Sequence, residues 1–374
     1  MDADVLPEAL KSIMARHGWS QMDLATELGV SQSWVSQTSR GVKDSGIANV
    51  QRLLARIGWE VRITPKTEDD PVKRRNFVAA VGSIAFVPSP KVGPYQDAEY
   101  VRALAERLAR DRYEQGGIPV ASTALRHLKK VGLAISGKDR KLQSAASDLA
   151  CEAARIFYDS RRYDMAQRAG SFALQLARRS GDVNGQANAC SALSRISIDR
   201  RHGDRGIMHA RQGLTLPDLP PPQRAWLKLR LARSLALVPG QERAARDRLA
   251  ELGDAEGLSA YERADMKGNV GVALAGMRAY PDAHASIAEA VSLSRQCSPL
   301  LLVAYQAWQV ETALAAAEPL MAADHMTALA RIAPMVSSAR VNSHIAGILR
   351  MSARWSDVPE MGHAREHLQS VQPD

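Results

Sequence analysis

The first part of the chain carries hydrophobic positions at the spacing of short α-helices. Leu6, Leu10 and Ile13 recur at helical intervals before a His-Gly pair that is typical of a helix end. The stretch "SQMDLATELGVSQSWVSQ" follows, with small clusters of apolar residues on either side of a lone glycine. We predict two short helices there, over residues 21–28 and 32–39.

Capping residues bracket these two helices. The Ser20 hydroxyl can accept a hydrogen bond from a free backbone N–H, and Asp23 three residues on completes an acidic capping box. Ser31 stands at the same place before the second helix. Gly29 supplies the left-handed residue that ends the first helix. The pattern therefore predicts two helices joined by a tight turn, each beginning with a glutamine.

Two further elements and a linker follow. The stretch "IANVQRLLARIG" predicts an amphipathic helix that ends at Gly58, and "WEVRIT" (59–64) alternates as a half-buried strand does. Residues 65–72 contain two prolines and several charges, which is typical of a linker. The apolar run within 73–90 predicts a short helix that docks on the next domain.

From about residue 97 onward, the chain reads as helix after helix with an internal repeat. Segments 149–177 and 266–294 align at an offset of 117, or about three units of 39 residues. The small residues and the tyrosine that match are Ala154 with Gly271, Tyr163 with Tyr280, Ala166 with Ala283, and Ala173 with Ala290. Four other segments resemble the same unit: 184–215, 223–252, 300–331 and 338–370.

The repeat resembles the tetratricopeptide repeat, in which small residues let the two helices of a hairpin approach closely. An unrelated helical bundle is the alternative. The resemblance implies a solenoid of stacked hairpins with a concave binding face. We therefore expect an all-α protein with one short strand. Its predicted parts are a helix-turn-helix domain (1–64), a linker with an apolar helix (65–96) and a repeat domain (97–370).

Composition and charge narrow the function. The chain has 374 residues, 45% hydrophobic and 5% aromatic, and its net charge is +9. Residues 1–64 hold seven basic and seven acidic residues, so the positive excess lies in the rest of the chain. Three scattered cysteines fit no metal spacing and suit a reducing cytoplasm. No apolar run is long enough for a membrane span, and we expect no membrane partner.

Residues 6–58 resemble the phage-repressor type of helix-turn-helix, the xenobiotic-response-element family. The pattern that carries the resemblance is Gln21-x3-Ala25, Gly29-Val30-Ser31, Val35-Ser36 and Arg40-Gly41. The resemblance implies that the second helix enters the DNA major groove with its N-terminal side chains at base edges. The family often has Lys-Ile-Glu at the end of this helix, where this chain has Gln37-Thr38-Ser39, so phosphate anchoring should be weaker.

The helix-turn-helix assigns candidate DNA contacts. Gln32 can bond adenine through N6 and N7, and Gln21 can bond a phosphate from the N-terminus of its helix. Trp34 either packs on its own domain or touches a thymine methyl, and Arg40 and Lys43 are phosphate contacts or ordinary surface charges. The full candidate set is Gln21, Ser31, Gln32, Ser33, Trp34, Ser36, Gln37, Arg40 and Lys43.

The strand at 59–64 bears on oligomeric state. In antitoxin-like members of this family such a strand pairs with its mate across a dimer axis, and pairing within one chain is the alternative. One recognition helix contacts few base pairs, so we expect a homodimer on an inverted-repeat operator in double-stranded DNA.

The first helices of the repeat hairpins carry polar residues that packing does not need. Asn and Gln can pair with a peptide backbone, and Arg suits a carboxylate. The candidate effector contacts are Arg155, Tyr158, Asn188, Arg195, Asn269, Gln306 and Gln309.

We find no catalytic pattern. The motif "HAREH" (His363 to His367) has the spacing of some zinc peptidases, but only a few residues follow it to supply a third ligand. We predict a non-enzyme that needs no cofactor or metal.

The layout is similar to that of the peptide-pheromone-sensing regulators of Gram-positive bacteria. It implies a cytoplasmic, sequence-specific transcriptional regulator whose repeat domain senses a peptide, a small molecule or a protein partner. One alternative is a DNA-localised interaction scaffold. Another is an antitoxin or RNA-binding protein, and the basic repeat domain favours this second alternative.

Overall fold

The structure is a computed structural model that describes residues 5–42, 47–54, 57, 59–63, 84–88, 93–135, 139–253 and 257–371. The chain divides into two compact units, Met1–Lys91 and Val92–Asp374. Among the described residues, none of the helices combines the length and the apolar character needed to cross a membrane.

The described residues of the first unit form four α-helices and a two-stranded sheet. The elements are α1 (Val5–His17), α2 (Gln21–Leu28), α3 (Gln32–Ser39), α4 (Ile47–Leu54), β1 (Trp59–Ile63) and β2 (Ile84–Pro88). Leu10, Leu28 and Val35 are fully buried at the centre of its core, against Trp59. The predicted bounds of α2 and α3 are confirmed.

The turn between α2 and α3 forms as its capping residues predict. Ser20 and Asp23 make the reciprocal capping box, and Ser31 Oγ accepts from the Trp34 N–H at 3.2 Å. Gly29 has φ 64°, and the Val30 N–H reaches back to the Ala25 carbonyl at 3.0 Å, as in a Schellman motif. Local hydrogen bonds therefore set the angle between the two helices.

The strand β1 pairs antiparallel with β2, from Trp59 opposite Pro88 to Ile63 opposite Ile84. The pairing is within one chain, which is one of the two alternatives that the sequence allows. The helix predicted within 73–90 is wrong at 84–88, because Ile, Phe and Val there favour a strand and the β1 backbone supplies a partner. The linker 65–72 and the rest of that predicted helix lie outside the described residues.

The second unit is an α-solenoid of tetratricopeptide-like hairpins. A short 3₁₀ helix (Gly93–Gln96) precedes it. The helices are α5 (Ala98–Gln115), α6 (Gly117–Ala134), α7 (Arg140–Asp159), α8 (Tyr163–Ser180), α9 (Val183–Asp199), α10 (Gly203–Leu214), α11 (Pro221–Leu235), α12 (Glu242–Ala250), α13 (Ala260–Gly276), α14 (Tyr280–Ser294), α15 (Pro299–Ala315), α16 (Pro319–Ile332), α17 (Ala339–Ser352) and α18 (Pro359–Ser370).

The turns inside the hairpins show the repeat directly. A residue with φ between 56° and 80° recurs every 38 to 40 positions. The five are Arg161, Arg201, Gly240, Arg278 and Ala317. Four of them are not glycine and adopt the left-handed conformation that L-residues seldom visit. The predicted period of about 39 residues is therefore confirmed.

Small residues mark where the two helices of each hairpin cross. Five residues after each left-handed turn residue stands a buried alanine or glycine. They are Ala166, Gly206, Ala245, Ala283 and Ala322. The tyrosines of the predicted alignment, Tyr163 and Tyr280, each begin the second helix of their hairpin.

The row of hairpins closes on itself through backbone and side-chain hydrogen bonds. The Ser337 N–H donates to the Gln115 carbonyl at 2.8 Å, and the Ile118 N–H donates to the Ser337 carbonyl at 3.1 Å. Gly116 lies at this contact, where an added Cβ would stand 2.4 Å from the Ser337 carbonyl oxygen. Ser298 Oγ also donates to the Tyr113 carbonyl at 3.0 Å. The first hairpin (α5 and α6) therefore touches the segments that begin α15 and α17.

We predict that Gly271→Ala destabilises the protein by about 1–3 kcal/mol through overpacking. A Cβ at Gly271 would stand 2.5 Å from Ile287 Cγ1, at the crossing of α13 and α14. Gly276→Ala in the same helix is the matched control, because its Cβ would meet nothing within 4 Å. Chemical unfolding should show the control equal to or more stable than the wild type. Equal losses at both sites would contradict the close crossing.

Candidate functional site

The first candidate surface is the N-terminal end of α3 in the first unit. Gln32 and Ser33 are exposed there, and so is Gln21 at the start of α2. Ser31 is exposed too, and its side-chain oxygen already caps α3. The cap fixes the helix start, so the side chains just after it project from a backbone of defined direction.

Hydrogen bonds order the rest of this surface. Gln37 Nε2 donates to Ser33 Oγ at 3.2 Å, and Arg40 Nε donates to the Ser36 carbonyl at 3.2 Å. Trp34, Ser36 and Gln37 are half-buried. Trp34 packs against the core of the first unit, the first of its two predicted roles. Lys43 lies outside the described residues.

The second candidate site is a chain of cavities inside the repeat unit. The largest of these three has a volume of about 510 Å³, and the other two have volumes of about 90 and 20 Å³. The 510 Å³ cavity and the 20 Å³ cavity share Asp199, Arg233 and Trp308 in their walls. The 90 Å³ cavity and the 20 Å³ cavity share Tyr158 and Arg195. A volume of about 300–1,000 Å³ is usual for small-ligand sites, so the 510 Å³ cavity is large enough to hold a small ligand.

Arginines outnumber carboxylates in the cavity walls. Together the three cavities are lined by eight arginines and four carboxylates. The arginines are Arg112, Arg155, Arg161, Arg195, Arg201, Arg230, Arg233 and Arg340. The carboxylates are Asp199, Glu262, Asp265 and Glu311. The tract is therefore positively charged, although helical hairpins need no charge for their packing.

Four of the predicted effector residues line the 90 Å³ cavity: Arg155, Tyr158, Asn188 and Arg195. Arg155 Nη1 donates to Glu152 Oε2 at 3.1 Å, and Glu152 also holds Arg112 at 2.5 Å. Asn188 is half-buried at the cavity wall. Arg155 and Arg112 are thus held by a carboxylate of the protein, whereas Asn188 lies in the cavity wall.

Asn269 lies at the centre of a buried polar network. Its Oδ1 accepts from Arg230 Nη1 at 2.7 Å and also from Arg233, and its Nδ2 donates to Tyr305 Oη at 2.9 Å. Asn269 lines the smallest cavity, but its side-chain amide is already hydrogen-bonded to other protein side chains.

Gln306 and Gln309 lie apart from the cavities. Both are buried on α15, and Gln306 Nε2 donates to the His325 carbonyl of α16 at 3.4 Å. Neither lines any of the three cavities. Their role as effector contacts stays a prediction.

The sequence prediction missed Asp265, Arg230 and Arg233. Asp265 Oδ2 pairs with Arg195 at 3.1 Å, and the Tyr305 hydroxyl donates to the same carboxylate. The neighbouring Arg195 and Arg230 hold the pKa of Asp265 well below its usual range despite burial. A signal was present, since Asp265 stands one helical turn before Asn269 and Arg230 interrupts an otherwise leucine-rich run.

The described residues contain no group of three or more His, Cys, Asp or Glu side chains placed to hold a metal ion. His363 and His367 both lie on α18.

Comparisons with known proteins give structural neighbours only. No family model matches the chain, and no curated protein matches it. A Rap protein complexed with the competence and sporulation factor is similar at 11% identity, over 94% of this chain and 87% of that chain, with a TM-score of 0.48. PlcR from Bacillus thuringiensis, in complex with the peptide PapR7 and DNA, is similar at 13% identity, over 98% of this chain and 99% of that chain, with a TM-score of 0.34. Such values establish neither a family nor a function for this chain.

We predict that Asp265→Asn destabilises the protein by about 3–5 kcal/mol, because it leaves Arg195 buried without its carboxylate. Asp164→Asn is the matched control. Asp164 pairs with Arg200 at 3.6 Å, but its side chain is 83% exposed, so its loss should cost at most about 1 kcal/mol. Chemical unfolding of both variants measures the difference. An Asp265→Asn protein as stable as the control would show that the buried pair adds nothing.

Proposed function

We propose that this protein is a sequence-specific DNA-binding transcriptional regulator whose repeat unit binds a peptide or small-molecule effector. The observation that carries the proposal is the capped N-terminal end of α3, where Gln32 and Ser33 are exposed, as is Gln21 at the start of α2. A second observation, the positively charged cavity tract, supports the sensing function.

The exposed end of α3 suits readout in the major groove. The amide of Gln32 has one donor and one acceptor group, which match N6 and N7 of adenine. Ser33 accepts from Gln37, and this bond aligns both side chains along one side of α3. Ser31 is occupied as the cap, but its hydroxyl proton can still be donated to a phosphate.

Phosphate contacts would set the orientation of α3 on the duplex. Gln21 begins α2, where free backbone N–H groups and the helix dipole favour an anion. Arg40 follows α3 directly and is exposed, and Lys43 comes shortly after it. Such contacts add affinity without adding sequence preference.

The cavity tract suits an effector better than a catalytic reaction. Its arginines are tied to carboxylates and amides, and they can bind and orient an anionic or polar ligand. A ligand that prefers one conformation of the protein would change operator affinity by its difference in affinity for the two conformations. Asn188 is the predicted effector contact that is best placed to touch such a ligand.

We further propose that the protein acts as a homodimer on an inverted-repeat operator. One eight-residue recognition helix reads few base pairs, and two copies related by a two-fold axis double the contact. Since β1 pairs with β2 in its own chain, either this sheet or the repeat unit would have to supply the dimer contact.

Gln32→Ala should reduce affinity for the preferred duplex by about 1–3 kcal/mol and relax the preference at one base pair. The preferred duplex is first obtained by selection of random DNA on the full chain. Gln21→Ala is the matched control, because a lost phosphate contact should weaken all duplexes to a similar extent. The readout assignment fails if the Gln32 variant selects the same sequence with the same stringency.

Footprinting of the selected duplex should show two protected half-sites whose centres lie about 34 Å apart, or a multiple of that distance. Light scattering of the complex should give two chains per duplex. A single protected half-site with one chain bound would contradict the dimer.

A further inference from the structure

The centre of the cavity tract holds more positive than negative charge. We define the arginine cluster as Arg195, Arg230 and Arg233 with Asp265 and Asn269. Asp265 is its one carboxylate, and it pairs with Arg195 at 3.1 Å. Burying a cation without a compensating anion is costly. The cluster as it stands is therefore short of negative charge.

Arg230 is the least compensated of the three cations. It is 3% exposed, and its Nη1 donates to the neutral carbonyl oxygen of Asn269 at 2.7 Å. Arg233 donates to the same oxygen but lies near the carboxylate of Asp199, which lines the same cavities. A neutral amide oxygen that serves two guanidinium groups cannot replace a carboxylate.

Two buried donors of the cluster have no partner. Within the described part of the chain, the Nε atoms of Arg195 and Arg230 make no hydrogen bond. Burial, together with the positive charges of Arg195 and Arg233, lowers the pKa of Arg230 to about 9, although Asp265 opposes the shift. The group thus keeps its charge at neutral pH in an unfavourable environment.

The 90 Å³ cavity adjoins the side chains of this part of the arginine cluster. Both Arg195 and Arg230 line it, and the ring of Trp226 lies beneath Arg230 at 5.0 Å. The other carboxylate in its wall, Glu262, is occupied, because it accepts from the Ser259 backbone N–H at 2.9 Å and the Ser259 hydroxyl at 2.7 Å. The space suits one small oxyanion, and the smallest cavity links it to the 510 Å³ cavity.

We propose that the arginine cluster binds an oxyanion of the effector, a carboxylate or a phosphate, in the 90 Å³ cavity between Arg195 and Arg230. Guanidinium groups bind such anions through charge-assisted N–H donors, and a bound anion would supply the negative charge that the cluster lacks. The body of the ligand would extend toward the 510 Å³ cavity. The inference rests on the proposed sensing function but concerns binding alone.

The test is thermal unfolding of the full chain in inorganic phosphate, against sodium chloride at equal ionic strength. The wild type should gain about 2–4 °C in phosphate. Arg230→Met and Arg230→Gln should lose this gain, and in chloride they should be at least as stable as the wild type. Arg246→Met, an exposed arginine of α12, is the matched control and should keep the gain.

Three outcomes would contradict the anion site. Equal phosphate gains in the wild type and both Arg230 variants would mean that the anion binds elsewhere, for instance at the DNA surface. The absence of a gain in the wild type would also overturn the site, and so would failure of both variants to fold, because the proposal treats the unliganded charge of Arg230 as destabilising.

A second arm distinguishes the sources of the anion. Sodium acetate in place of phosphate should reproduce the gain if the effector presents a carboxylate, and only phosphate should act if the cavity selects a phosphoryl group. Operator affinity is measured separately in the same ions on wild type and Arg230→Gln. Phosphate binding without any Arg230-dependent change in DNA affinity would leave the anion site intact and contradict the sensing function.

Discussion

The carboxylate of Asp159 joins three separate segments of the repeat unit, and the arrangement of the cavity tract depends on it. It accepts from the Gly117 backbone N–H at 2.7 Å, from Ser338 Oγ at 2.9 Å and from Arg340 Nε at 3.3 Å. Two of these donors belong to α17 and its cap, and the third begins α6. A solenoid without such a closure would present an open concave face. Here the innermost charges, such as Arg230, Asp265 and Arg340, are buried, so water screens them little and they act strongly on one another.

Burial explains why several of the arginines in this interior pair with carboxylates. Arg112 and Arg155 share Glu152, Arg340 pairs with Asp159, and Arg195 pairs with Asp265. Buried ion pairs of this kind contribute little net stability compared with apolar packing, but they hold side chains in defined positions. A repeat protein that needed only to pack would have leucine and alanine there. The polar interior therefore accords with the proposed ligand site, and the surplus of arginine indicates the charge of the ligand.

The sequence predicts best what local interactions decide. Ser20, Gly29 and Ser31 act within one turn of their own helices, so the bounds of α2 and α3 follow from them. The repeat period follows from small residues and tyrosines at hairpin crossings, as Ala166 and Ala283 show. The strand β2 was beyond local reasoning, because its conformation depends on pairing with β1 more than twenty residues earlier.

The cavity residues likewise divide into those that the sequence predicts and those that depend on packing between helices. Arg155, Tyr158, Asn188 and Arg195 follow from the face of the first helix in two hairpins. Arg230 leaves a signal in its leucine-rich run, but the pairing of Arg230 and Arg233 with Asn269 could not be assigned, because it arises only when α11 packs beside α13. Gln306 and Gln309 stand on α15, where a small change of helix rotation turns a side chain from the cavity into the packing.

Hydrogen–deuterium exchange of the full chain, with and without its selected duplex, tests the central claim most directly. If α3 reads the DNA, the amides of Gln32–Ser39 should exchange more slowly in the complex, together with those at the start of α2. Slower exchange confined to the repeat unit, with α3 unchanged, would contradict the account and favour nucleic-acid binding by the basic repeats.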